Sequence, residues 1–183
     1  MKIPNILTLL RIVLIPIFVL IYYLPYTWAP LAAGGVFAIA AVTDWLDGYL
    51  ARKLDQSSPF GAFLDPVADK LMVAICLTLL VESYASLWIT IPAVVIIGRE
   101  IVISALREWM AEVGKRASVA VSYIGKIKTT LQMLAIFLMI ISEPYSTSIS
   151  WAGVGALYLA SILTLWSMYQ YLRAAWPALS EDM

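Results

Sequence analysis

Apolar runs separated by short polar links set the rhythm of this chain. They fall at about 6–24, 28–50, 62–81, 87–106, 127–142 and 150–172. Each is long enough, or nearly so, to cross about 30 Å of hydrocarbon as an α-helix. The pattern predicts an all-α fold, an integral membrane bundle of six transmembrane helices. Arg11 interrupts the first run and no small-residue cleavage site follows it, so the segment reads as an uncleaved span and not as a signal peptide. No Gly/Ser-rich linker, repeat or low-complexity tract divides the runs, and residues 1–183 read as a single domain.

Composition agrees with that solvent. The 183 residues are 62% hydrophobic and 13% charged, against about 25% charged in a soluble domain, and the formal net charge of +0 argues against a nucleic-acid partner. The few charges are placed unevenly. The turns near Pro25, at Glu82 to Leu87 and at Glu143 to Ser150 lack Lys and Arg. Lys2, Arg11, Arg52, Lys53, Lys70, Arg107, Lys115, Arg116, Lys126, Lys128 and Arg173 lie at the other ends or links. The positive-inside rule then expects both termini and the links at 52–60 and 107–126 to be cytoplasmic. Trp28, Trp88, Trp151, Tyr22, Tyr23, Tyr26, Tyr84 and Tyr145 gather at the uncharged ends, as an interfacial aromatic belt does.

Against this background residues 44 to 69 stand out. Asp44, Asp47, Gly48, Ala51, Arg52, Gly61, Asp65 and Asp69 form the array D-x2-D-G-x2-A-R-x8-G-x3-D-x3-D where two apolar runs meet a short polar link. An ionised Asp at helix-centre depth in a bilayer costs on the order of 2.5 to 3.5 kcal/mol on insertion scales, so four close together need a partner. Asp44, Asp47, Gly48 and Ala51 share one helical face, and Gly61, Asp65 and Asp69 share another. The two acidic faces are therefore expected to meet across the turn. Pro66 either starts a helix with Asp65 as its N-cap or interrupts one begun near Ala62.

The chemistry open to these residues is narrow. The chain contains no His, which removes Ser-His and Cys-His triads and every His-ligated metal site. Its one Cys, Cys76, sits in an apolar stretch and reads as a packing residue. Four carboxylates without nitrogen or sulfur ligands suit Mg²⁺ or Mn²⁺, and two such ions about 3.5 to 4 Å apart clamp displacements at phosphorus. Gly48 and Gly61 leave room beside the acids for a phosphate group. The plain structural alternative pairs Asp44 and Asp47 with Arg52 and Lys53 at a helix end, and it leaves Asp65 and Asp69 with only Lys70 nearby in sequence.

The complete array resembles the signature of the CDP-alcohol phosphatidyltransferases at every fixed position. The likeness spans nearly the whole chain. The stretches P-N-x-L-T-x2-R at Pro4 to Arg11, G-R-E at Gly98 to Glu100, Leu106-Arg107 and G-K-x-K-T at Gly125 to Thr129 are similar to members of the bacterial inner membrane that use glycerol 3-phosphate as acceptor. The resemblance implies a homodimeric six-helix enzyme of phospholipid biosynthesis that transfers a phosphatidyl group from CDP-diacylglycerol to glycerol 3-phosphate and releases CMP. It implies that Asp44, Asp47 and Asp65 ligate metal, and that Asp69 sits at the metal site and acts as general base. Thr8, Gly48, Ala51, Arg52 and Gly61, with Asn5 a weaker member, would surround the cytidine diphosphate.

For the acceptor phosphate the cations of the later runs are the candidates: Arg99, Arg107, Lys126 and Lys128. Arg99 is the deepest, and a charge so placed lines a polar cavity or pairs with a neighbour. Glu100 is adjacent but is expected to point to a different side of the helix. Arg107, Lys126 and Lys128 equally suit positive-inside anchoring or contact with anionic lipid. Two further readings stand beside this one: the same family with another acceptor alcohol, or a divalent-cation transporter. The second is expected to show broken helices or half-repeats, which the sequence lacks.

Overall fold

A backbone in hydrocarbon satisfies its N–H and C=O groups within one segment only as a helix, and the apolar runs do so here. The computed structural model describes the backbone of residues 3–53, 59–112 and 123–181. It contains α1 (Ile3–Tyr22), α2 (Ala29–Lys53), α3 (Pro59–Tyr84), α4 (Leu87–Glu112), α5 (Tyr123–Ile140) and α6 (Ser148–Glu181), with no strand among the described residues. The helices outrun the apolar runs at several polar ends. Pro66 lies inside α3, which begins at Pro59, so Asp65 is a mid-helix residue and not an N-cap.

Two segments, Leu87–Glu112 and Ser148–Pro177, are long and apolar enough to cross a membrane. Ile6–Tyr22, Ala29–Asp44 and Ile127–Ile140 are shorter apolar helices. Surface chemistry points the same way. Leu20, Leu31, Phe63, Val94, Ile101 and Ile162 are each more than 60% exposed, while Arg11, Arg99 and Lys128 are at most 8% exposed. Such an outside-apolar, inside-charged arrangement is unfavourable in water and favourable in lipid.

Helix contacts close a ring in the order α1, α3, α4, α6, α5, α2, with α3 also touching α5 across it. Phe18, Phe37, Leu77, Leu80, Ile89, Ile96, Ile136, Met139 and Leu157 fill the centre, and Cys76 is buried among them as a packing residue. At the uncharged ends Trp28, Trp88, Trp151, Tyr23 and Tyr26 are more than half exposed, as a belt requires. Tyr84 departs from that expectation. It is 4% exposed and its hydroxyl shares a 2.8 Å hydrogen bond with Ser150 Oγ, so it ties α3 to the start of α6.

Helices α5 and α6 approach closely at Gly153. A Cβ added at Gly153 would stand 2.7 Å from Met139 Cγ and 3.2 Å from the Met139 backbone nitrogen, whereas one at Gly155 would meet nothing within 4 Å. Small residues permit such approach where lipid supplies no hydrophobic drive between helices. Gly153→Val is therefore expected to lower stability by about 1 to 3 kcal/mol through overpacking, read as a fall in the thermal unfolding midpoint in detergent. Gly155→Ala, which gains helix propensity without a clash, should leave that midpoint unchanged or raise it.

Candidate active site

The acidic array is organised from the first helix. Thr8 and Arg11 stand one turn apart on α1, fully buried and 3% exposed respectively. Arg11 Nη1 donates to Asp44 Oδ1 on α2, and its Nη2 lies 3.5 Å from Asp65 Oδ1 on α3. Thr8 Oγ1 also donates to Asp65 Oδ1. The two acidic helices are thus joined through α1, which packs against both, and not simply across their connecting turn. In sequence Arg11 reads as an interruption of an apolar run. In space it is the counter-charge of the array, because a guanidinium offers several donors in a fixed fork and spans two carboxylates at once.

Asp44 and Asp65 side chains remain 44% and 40% exposed. They offer hard oxygen donors from two helices within the width of one guanidinium, the donor chemistry of a divalent cation. Among the described residues no group of three His, Cys, Asp or Glu side chains converges on a metal position. Gly61 is buried on α3. The side chains of Asn5, Asp47, Gly48, Ala51, Arg52 and Lys126 lie outside the described residues.

Further along the ring a second polar cluster forms a cavity of about 270 Å³, lined by α3, α4, α5 and α6. Asp69 and Lys70 enter from α3, Arg99, Glu100 and Arg107 from α4, Lys128 from α5, and Ser167 and Tyr171 from α6. Among the described residues four cations face two carboxylates there, a surplus that favours an anion. The volume lies below the roughly 300 to 1,000 Å³ of drug-sized ligand sites and suits a small polar solute. An apolar groove between α3 and α4, bordered by Val67, Leu71, Ile97 and Ile101, shares Lys70, Val73 and Glu100 with this cavity. Polar and lipid-like surface therefore meet at one place. Asp69 connects the two clusters, since it lines this cavity one helical turn beyond Asp65 on α3.

Glu100 corrects the expectation that it points away from Arg99. It accepts from Arg99 Nη1 at 2.6 Å and from Lys128 Nζ at 3.1 Å. Backbone positions one residue apart diverge by about 100° around a helix, but the long Arg side chain sweeps back across that angle. Arg99 Nη2 donates to Ser167 Oγ at 2.8 Å, and Arg107 Nη2 donates to the Tyr171 hydroxyl at 2.5 Å. Arg99 Nε, buried, has no hydrogen-bond partner among the described residues. Three of the four expected phosphate-binding cations, Arg99, Arg107 and Lys128, thus line one cavity together with Asp69. From the sequence, Arg11 and Glu100 take no role in the site, and Ser167 and Tyr171 do not stand out at all. Only the two charged ones carried a signal, as ionisable residues inside apolar runs.

Comparison with known proteins supplies the chain's relatives. The family model for CDP-alcohol phosphatidyltransferase matches residues 1–167. The chain is similar to a CDP-diacylglycerol--glycerol-3-phosphate 3-phosphatidyltransferase of Pseudomonas fluorescens, 60% identical over 183 residues that cover all of this chain and 94% of that protein. Proteins with the same description from Pectobacterium atrosepticum and Escherichia coli K12 are 60% and 59% identical over 174 residues, 95% of this chain and 94% of each.

The bridge from α1 predicts a stability effect. Arg11→Met leaves Asp44 and Asp65 facing each other without their shared cation, and a loss of about 2 kcal/mol is expected, below the 3 to 5 kcal/mol of a fully buried pair because both acids are partly exposed. Thr8→Val removes the hydrogen bond to Asp65 and should cost about 1 kcal/mol. Unfolding midpoints in metal-free detergent solution read both, and an Arg11→Met midpoint equal to wild type would show that the bridge is not holding the helices together.

Proposed function

The chain belongs to the CDP-alcohol phosphatidyltransferase family, and from that premise we propose that it transfers the phosphatidyl group of CDP-diacylglycerol to sn-glycerol 3-phosphate, giving phosphatidylglycerophosphate and CMP. The observation that carries the reading is the cavity in which Asp69 faces Arg99, Arg107 and Lys128. A carboxylate able to take a proton and a surplus of positive charge able to hold a phosphate share one small space. The single-residue roles follow the same logic. Asp69 accepts the proton of the attacking hydroxyl. Arg99, Arg107, Lys126 and Lys128 bind the acceptor phosphate through charge-assisted hydrogen bonds. Thr8, Gly48, Ala51, Arg52 and Gly61 surround the cytidine diphosphate, with the small residues leaving room for the pyrophosphate.

In the transfer the acceptor hydroxyl oxygen forms a bond to the phosphatidyl phosphorus while the bond to CMP breaks. The two substrates are held together, so the step is a direct displacement with no covalent enzyme intermediate, in keeping with the absence of a His-activated nucleophile. Asp44, Asp47, Asp65 and Asp69 would hold Mg²⁺ or Mn²⁺, two ions in this reading, which supply positive charge against the pyrophosphate when bound. The donor set fits a hard cation: Asp44 and Asp65 already gather a positive group between them.

This reading places the protein in a bacterial inner membrane as one multi-pass domain of six spans, with both termini and the active site on the cytoplasmic side, working as a homodimer in phospholipid biosynthesis. Support for the membrane comes from the two long apolar helices and the apolar exterior. Support for the orientation comes from the Lys and Arg asymmetry of the links.

Two experiments test it. Purified protein in detergent, given CDP-diacylglycerol and a divalent cation, is expected to release CMP with glycerol 3-phosphate and not with serine or inositol. Excess chelator should abolish turnover, and Asp44→Asn, Asp47→Asn and Asp65→Asn should each abolish the cation-dependent rate. Turnover with serine alone, or full activity in chelator, contradicts the proposal. Asp69→Asn separates base from binder: kcat should fall by about 10²- to 10⁴-fold while the KM for CDP-diacylglycerol changes little. A large loss of nucleotide-lipid affinity at unchanged kcat would assign Asp69 to binding instead.

A further inference from the structure

Arg99 and Arg107 are eight residues apart on α4, which separates their backbone positions by about 12 Å along the helix. One phosphate cannot engage both unless the side chains lean toward each other, and two guanidiniums repel. Something must therefore draw them together. The structure supplies it on α6. The ring of Tyr171 lies 5.7 Å from the Arg99 guanidinium carbon and 4.9 Å from that of Arg107, both within the range at which an aromatic face attracts a cation. The Tyr171 hydroxyl also accepts from Arg107 at 2.5 Å. One turn earlier on the same helix Ser167 accepts from Arg99 at 2.8 Å, and Glu100 takes the other terminal nitrogen at 2.6 Å. With its terminal groups fixed, Arg99 still holds a buried Nε without a partner among the described residues.

We propose that Tyr171 is a positioning residue that converges Arg99 and Arg107 into a single clamp and so selects a phosphate-bearing alcohol as acceptor. This rests on the reading of the cavity as the acceptor site. The ring offsets the repulsion between two guanidiniums before the substrate arrives, and the hydroxyl sets the rotamer of Arg107, which is otherwise exposed. Pre-positioning of this kind lowers the ordering cost of binding and acts on the acceptor's affinity. It has no reason to act on the phosphatidyl donor.

Steady-state kinetics of the full-length protein in detergent, varying each substrate in turn, test the proposal. Tyr171→Leu removes ring and hydroxyl and should raise the KM for glycerol 3-phosphate about tenfold, with kcat and the KM for CDP-diacylglycerol within about twofold of wild type. Tyr171→Phe keeps the ring and should restore most of the affinity, leaving a rise of about threefold. The double variant Tyr171→Leu/Arg107→Gln should resemble Arg107→Gln alone, because a clamp already lost cannot be lost twice. A Tyr171→Leu effect that falls equally on both substrates, or that multiplies with Arg107→Gln, overturns the proposal. Where Tyr171→Leu fails to fold, Tyr171→Phe decides alone, and an unchanged acceptor KM in it overturns the proposal. If Arg107→Gln leaves the acceptor KM unchanged, the acceptor-site reading falls as well. If Arg107→Gln raises it and the Tyr171 variants do not, only the positioning role falls.

Discussion

Away from the helix ends, charge in this protein is turned inward. The exterior of the bundle is apolar, so an ionised group on that surface would lose its hydration to lipid, and one inside must find its counter-charge among neighbouring helices. Arg11, Arg99 and Lys128 are buried to within a few per cent, and each is held by carboxylates or hydroxyls on other elements or on its own helix. The polar clusters follow from this requirement, and the helix arrangement has to satisfy it.

Two such clusters result, with Asp69 between them. At one, a guanidinium from α1 draws Asp44 and Asp65 together from separate helices. At the other, Glu100 on α4 balances Arg99 and Lys128, while Ser167 and Tyr171 on α6 take the remaining donors. The first cluster leaves its acids half exposed and the second leaves more cations than carboxylates. Neither is self-sufficient. An acidic cluster with open oxygens attracts a cation, and a cationic cavity with an unpartnered Arg Nε attracts an anion. The proposed reaction, which joins an anionic alcohol to a nucleotide-activated lipid, would use both side by side.

Rigidity is distributed to match. Close packing of α5 on α6 at Gly153, and the Tyr84 to Ser150 bond one turn earlier on α6, fix α6 with respect to its neighbours. That in turn fixes where Ser167 and Tyr171 meet α4. Positioning of the cavity's cations is a property of helix packing, and no loop among the described residues contributes to the cavity.

The one-dimensional pattern determined the number and approximate limits of the helices, because apolar run length and hydrogen bonding within one segment are local properties. It also determined the family, since the spacing of Asp44 to Asp69 is a local pattern, and it nominated Arg99, Arg107 and Lys128, because charges inside apolar runs are conspicuous. Its errors arose where side chains cross between helices. Glu100 was expected to turn away from Arg99 and instead bridges Arg99 and Lys128, and Tyr84 was expected in the belt and is buried. Ser167 and Tyr171 carried no signal at all, being ordinary polar and aromatic residues near the end of an apolar helix. Tertiary structure alone decided that Arg11 spans two acids and that Tyr171 contacts two arginines. Ion pairing and cation–π attraction act over a few ångströms of space, and sequence separations of 33 for Arg11 and Asp44 and 64 for Arg107 and Tyr171 contain no information about that distance until the helices pack.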